Sequence, residues 1–254
     1  MRGAITYLLA VSAHRHGVAV HAFCAMSTHV HLVVTDTQGR LPMFLALFHR
    51  LLALTTKVVR KWEGAVWDHE QTSVVRLETP EAVVDRIGYV LANPVSAGLV
   101  QSCSEWPGAK SDVADLGRGT VRAARPTAYL DAEGGGWPAH AAVELTLPPG
   151  VAGADALRWR EAVRSSVAEH ERAARVRVTE RGGKFSGARR VIAGSPFDRA
   201  TSAEPLRDRN PSFAVGAVVG AYRAAVAALR AFRGAYAIAL EAWKRGVRDA
   251  VFPP

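Results

Sequence analysis

Two alternating apolar runs with only three residues between them set the tightest constraint on the fold. Val18-Ala19-Val20-His21-Ala22-Phe23-Cys24-Ala25 alternates and is β-branched enough for a strand. His29-Val30-His31-Leu32-Val33-Val34-Thr35 repeats the pattern. Met26-Ser27-Thr28 is too short for a crossover, so the pair predicts an antiparallel hairpin. Helical patterns bracket it. Residues 4–16 place Ile5, Leu8, Leu9 and Ser12 on one side and end at Gly17. Residues 41–62 carry Pro42 in the first turn, with Leu45, Phe48, Leu51, Leu52 and Val59 as the buried side.

After a loop, residues 72–78 read as a third strand. Thr79-Pro80-Glu81 then opens a helix with a cap residue, a first-turn proline and an acid near the dipole. That helix is expected to stop at about Asn93, ahead of Pro94. Residues 1–112 thus read as αββαβα, an α+β layer with helices on one face of a small antiparallel sheet. Residues 113–154 are rich in Gly, Ala and Pro and read as an extended connector with one strand-like run at 142–147. Residues 155–254 form a basic, mainly helical extension. It consists of a helix at 155–178, a loop-rich stretch at 181–211, and an alanine-rich helix at 213–251 with a break expected near Gly234.

The chain carries a formal charge of +9, which favours a polyanionic partner. The excess sits in the second half. Residues 1–112 hold 10 Lys/Arg against 9 Asp/Glu, and residues 113–254 hold 22 against 14. Cys24 and Cys103 form no C-x-x-C pair and no disulfide framework, so a reducing, cytoplasmic setting fits best. The short apolar run at 5–13, behind a single Arg2, suits a helix face better than a secretory signal. No run approaches 18 apolar residues, so neither a membrane span nor a membrane partner is expected.

His29 and His31 share one face of their strand, with Cα atoms about 6.5–7 Å apart, so both imidazoles can reach one ion. Chance surface or core histidines give the same pair. Tyr89 and Asn93, at i and i+4, stack on one helix face, with Val84, Ile87 and Leu91 roughly opposite. A tyrosine hydroxyl is a poor nucleophile near neutral pH, because its pKa is about 10. A metal that draws charge from a scissile phosphate helps it attack. Two imidazoles and the Asn93 amide oxygen suit a divalent ion with open positions. Affinity favours Mn²⁺ and abundance favours Mg²⁺.

Phe23-Cys24-Ala25-Met26-Ser27-Thr28-His29-Val30-His31-Leu32-Val33-Val34 resembles the HUH strand of the single-tyrosine transposases, especially the REP-associated tyrosine transposases. Gly88-Tyr89-Val90-Leu91-Ala92-Asn93-Pro94-Val95-Ser96-Ala97-Gly98-Leu99-Val100, followed by Trp106-Pro107, is similar to their tyrosine helix. The resemblance implies a ferredoxin-like HUH sheet and a divalent metal, Mg²⁺ or Mn²⁺, on His29, His31 and Asn93. It implies Tyr89 as the nucleophile that forms a 5′-phosphotyrosine link and frees a 3′-hydroxyl. Its implied partner is single-stranded DNA, often with hairpin-forming ends, and it implies no nucleotide cofactor. A homodimer is among the assemblies left open.

Two departures stand out. Family members carry a strand ahead of the first helix, whereas this sequence opens almost at the helix, so an exposed sheet edge is expected. Thr28 stands where many relatives have asparagine. A non-catalytic DNA-binding descendant is therefore one alternative. Another is a hydrolase that joins Asp68 or Glu70 to the two histidines. In the extension, Arg158, Arg160, Arg164, Arg172, Arg175 and Arg177 line the first helix. Lys184, Phe185, Arg189 and Arg190 follow in a Gly-rich loop, where arginine beside an aromatic suits phosphates and a stacked base.

Overall fold

The computed structural model describes residues 1–68, 72–128, 130, 136–195, 197–198, 211–216 and 219–253. Helix α1 (Arg2–His16) leads to strands β1 (Val18–Ala25) and β2 (Val30–Asp36), helix α2 (Leu41–Arg60), strand β3 (Arg76–Leu77) and helix α3 (Pro80–Ser96). Strands β4 (Thr120–Ala124) and β5 (His140–Glu144) follow. Helices α4 (Ala156–Glu180) and α5 (Ala188–Ala193), strand β6 (Phe213–Ala214) and helix α6 (Val219–Lys244) complete the order. The architecture is α+β. Among the described residues it has three two-stranded sheets, with β1–β2 and β4–β5 antiparallel and β3–β6 parallel.

The chain forms two compact units. One joins Met1–Gln71 to Val84–Pro205, and the other joins Thr72–Val83 to Leu206–Pro254. These units cut across the three segments read from the sequence.

In the larger unit the expected hairpin forms, with Cys24 opposite His31 and Ala25 opposite Val30. Helix α1 ends at Gly17, whose φ of 65° is the left-handed conformation that glycine adopts without strain. This helix is buried on more than one side. Tyr7, Leu8 and Leu9 are all fully enclosed. Helix α2 packs on one flank and the β4–β5 pair on another. Each such leucine contributes about 1.5–3 kcal/mol of burial. Tyr7 Oη donates to the Pro138 carbonyl at 2.6 Å. Helix α2 is the one described helix long and apolar enough to cross a membrane by length and composition alone. Its buried residues are Phe44, Phe48, Leu51, Leu52 and Thr55, one stripe of an amphipathic helix that packs on α1.

The expected open edge of β1 is occupied. Ala25 N–H donates to the Ala109 carbonyl at 2.8 Å, and Ser111 N–H to the Phe23 carbonyl at 2.9 Å. Thr146 N–H reaches the Val20 carbonyl at 3.0 Å, beside a parallel bridge between Val20 and Leu145. Segments 109–111 and 145–146 therefore satisfy backbone groups along that edge. The expected connector supplies much of this, because it folds into β4 and β5.

Other expectations change. The third strand shrinks to Arg76–Leu77 and pairs in parallel with Phe213–Ala214, not with the hairpin. Helix α3 continues through Pro94 to Ser96. Proline there forfeits one helical hydrogen bond near the helix end. Burial of Pro94 and Val95 offsets that loss. In the smaller unit, Thr79 Oγ1 caps the start of α3 by accepting from Ala82 N–H at 3.2 Å. Helix α6 runs unbroken past Gly234, where strong alanine propensity outweighs the glycine cost of about 1 kcal/mol.

Candidate functional site

The end of the hairpin and the middle of α3 build one cluster. Met26 N–H donates to the His29 carbonyl at 2.8 Å, closing the tight connection and launching β2 just beyond His29. Strand alternation then puts both imidazoles on the same face. Their ring centroids lie 4.7 Å apart, edge to face. The His31 ring meets the Tyr89 ring at 5.6 Å, again edge to face. Helix α3 holds Tyr89 half-buried and Asn93 buried at 7% exposure. Asn93 lies close enough to His31 to work, weakly, toward raising its pKa.

Burial is stronger in the other direction. Desolvation, aided by the charges of His29 and Arg86, pulls the His31 imidazole down to about 4. His31 is therefore neutral near pH 7 and keeps a lone pair. Its Nε2 is buried and has no hydrogen-bond partner. A buried nitrogen left open in this way is unusual, because nearly all such atoms find a partner. A metal ion is one chemistry that would satisfy it. At His29, Nδ1 lies 3.0 Å from Thr28 Oγ1, the kind of contact that fixes a ligand's tautomer. Among the described residues no trio of His, Cys, Asp or Glu is gathered for a metal. The third donor beside the two histidines is the Asn93 amide. These three residues fit a divalent ion with open positions.

Cys24, the cross-strand partner of His31, is no rival nucleophile. Burial pushes its thiol up to about 12, so it carries no thiolate near neutral pH. Asp68 is exposed in the loop after α2. Glu70 lies outside the described residues.

Helix α3 is more enclosed than the amphipathic reading predicts. Ile87, Val90, Leu91, Ala92 and Val95 are all buried. One side of the helix is packed closely by α4. A Cβ at Gly88 would stand 2.2 Å from Ser166 Oγ and 3.0 Å from His170 Cδ2. Only glycine allows the two helices to approach so closely there. This approach brings His170 to Tyr89, with ring centroids 6.2 Å apart. His170 Nε2 also lies 2.9 Å from Asp85 Oδ1. On the helix's own side, the Arg86 guanidinium stands over the Tyr89 ring, 5.2 Å from its centroid.

No family model, curated protein or solved structure matches this chain. The geometry therefore stands on its own residues.

Spacing along α3 contained a signal for Arg86 and Asp85, which precede Tyr89 by three and four positions and so share its side of the helix. Nothing in the local sequence pointed to His170, since its place depends on the Gly88 contact.

The basic loop behaves differently from the cluster. Ser186 and Gly187 N–H groups donate to the Gly98 and Leu99 carbonyls at 3.0 and 2.8 Å, so the loop docks just past the end of α3. Exposed Lys184 and half-buried Phe185 lie in that loop, whereas Arg189 and Arg190, also exposed, stand on helix α5 and not in the loop as expected. On α4 the arginines divide. Arg160 is buried and donates to the Leu116 carbonyl at 3.3 Å. Arg175 donates to the Gln101 carbonyl at 2.9 Å, and Arg164 pairs with Glu161. Arg158, Arg172 and Arg177 remain on the exposed face.

Proposed function

We propose that this chain is a metal-dependent transferase of single-stranded DNA, of the single-tyrosine HUH transposase type. The observation that supports it best is the gathering of His29, His31 and Asn93 around Tyr89, with the buried His31 Nε2 lacking any partner. In this reading His29, His31 and Asn93 would hold Mg²⁺ or Mn²⁺. Such an ion, when bound, withdraws charge from a phosphate oxygen.

The chain's own groups do the rest. Tyr89 Oη attacks phosphorus, the bond to the 3′-oxygen breaks, and a 5′-phosphotyrosine link remains with a free 3′-hydroxyl. The edge-to-face contacts with His31 and His170 hold the phenol ring in one orientation, which lowers the entropy cost of attack. The basic residues Lys184, Arg189 and Arg190, with Phe185, suit the flanking strand by charge and stacking. The ferredoxin-like sheet of that family is part of this proposal.

The test is a denaturing gel for a covalent protein–DNA adduct, using hairpin-bearing single strands with Mn²⁺ or Mg²⁺. The native chain is expected to form the adduct and Tyr89→Phe to form none. An adduct that persists in Tyr89→Phe refutes the nucleophile. Binding without any adduct, in either metal, refutes the enzyme.

A further inference from the structure

Arg86 sits three residues before Tyr89, on the same side of α3, with its guanidinium 5.2 Å from the phenol centroid. Its Nε is buried and has no hydrogen-bond partner. No carboxylate pairs with it among the described residues, and the adjacent carboxylate, Asp85, is engaged by His170 at 2.9 Å. Arginine cannot shed its charge to relieve this, because its pKa lies far above neutral. A partly buried cation without a counter-ion is costly. An anion arriving at the site would offset that cost. The planar fork of donors matches two oxygens of one phosphate better than any other common biological anion except a carboxylate.

We propose that Arg86 is a catalytic residue that grips the scissile phosphate, donating to a non-bridging oxygen while Tyr89 Oη attacks. This rests on Tyr89 being the nucleophile. The bond formed is Oη–P and the bond broken is P–O3′. The phenol proton goes to water, and the departing 3′-oxygen takes a proton from water. Negative charge grows on the non-bridging oxygens as phosphorus becomes five-coordinate, and that charge is what a fixed guanidinium stabilises.

The experiment uses the full chain, Mn²⁺, and the cleavage position mapped with the native protein. Two versions of the oligonucleotide are compared, one with the natural phosphodiester at that position and one with an uncharged methylphosphonate. Single-turnover adduct formation is measured for native, Arg86→Gln and Arg86→Lys chains. On the phosphodiester, Arg86→Gln is expected to be slower by about 10²–10³-fold, as for loss of one transition-state donor. Arg86→Lys should fall between it and the native chain. On the methylphosphonate, which lacks the charge to be stabilised, the variants should come within a few-fold of native. Equal slowing on both substrates makes Arg86 merely structural and overturns the proposal. So does a native rate in Arg86→Gln on both. If Arg86→Gln does not fold, the same comparison is read from Arg86→Lys. A native chain that forms no adduct overturns the nucleophile as well, which separates the two failures.

Discussion

Two histidines on one hairpin, His21 buried and His31 half-buried, end in opposite states. His21 sits at a register shift in β1, between Val20 and Ala22. Its Nε2 meets Thr35 Oγ1 at 2.7 Å and its Nδ1 meets the Thr146 carbonyl at 3.0 Å. Both ring nitrogens are satisfied, with the carbonyl fixing Nδ1 as donor and Nε2 as acceptor. His31 keeps Nε2 without a partner, and its ring meets a second imidazole and a phenol. Desolvation lowers both pKa values. The direction of the pKa shift therefore does not separate a packing histidine from one proposed to hold an ion. The accounting of lone pairs does.

The largest expected effect breaks the symmetry between them. His31→Ala should slow adduct formation by roughly 10³-fold or more, since several kcal/mol of charge stabilisation are lost at about 1.4 kcal/mol per factor of ten. Its metal-free stability should move by only about 1 kcal/mol, because the atom removed was unsatisfied. His21→Ala should do the reverse. It strands the Thr146 carbonyl and leaves a cavity, costing about 2–4 kcal/mol in urea unfolding. The adduct rate of the folded fraction should stay within a few-fold of native. Two variants that lose stability alike, with activity unchanged in both, would make His31 a packing residue and end the contrast.

Much of this contrast was legible beforehand, and what was not has definite causes. Period-two alternation fixed the hairpin and put His29 and His31 on one face. The i,i+4 rule put Asn93 under Tyr89. The same rule, read toward the N-terminus, leads to Arg86 and Asp85. The partners of His21 were not legible, because Thr146 lies in a Gly-, Ala- and Pro-rich stretch whose strands form by docking on α1 and β1. Helix α3 outlasted Pro94 because tertiary burial overrides a local penalty of this size. Contact between α4 and the Tyr89 helix hinges on the absent side chain of Gly88, which the sequence shows only as a weak helix former.

The pH dependence sharpens the comparison next. The His31 pKa is about 4 in the folded chain against 6.5 in an ordinary setting. Between those values the unfolded chain binds the extra proton. Stability is then complete above about pH 6.5 and declines as pH falls toward 4, by up to about 1.4 kcal/mol per unit from this group. The lowered pKa of His21 acts in the same direction. His31→Gln removes one of these contributions, so its metal-free stability should fall less steeply than native between pH 7 and pH 5. Urea midpoints at each pH measure this. An unchanged slope would mean that His31 is not held neutral by burial.

The smallest effects come from the two threonines that serve the hairpin's histidines. Thr35→Val keeps the shape and removes the hydroxyl that meets His21 Nε2, so it should cost about 1 kcal/mol of stability. Mn²⁺ affinity should not change. Thr28→Val removes the hydroxyl 3.0 Å from His29 Nδ1. That hydroxyl is exposed, so water can replace it and stability should hold. With Nδ1–H donating to Thr28, the other nitrogen keeps its lone pair for an ion, and loss of such an orienting partner weakens binding by about tenfold. Calorimetric titration with Mn²⁺ and urea unfolding on both variants read the two quantities separately. If Thr28→Val destabilises the chain while Mn²⁺ binding is untouched, Thr28 serves packing at the exposed end of the hairpin and does not orient His29 for an ion.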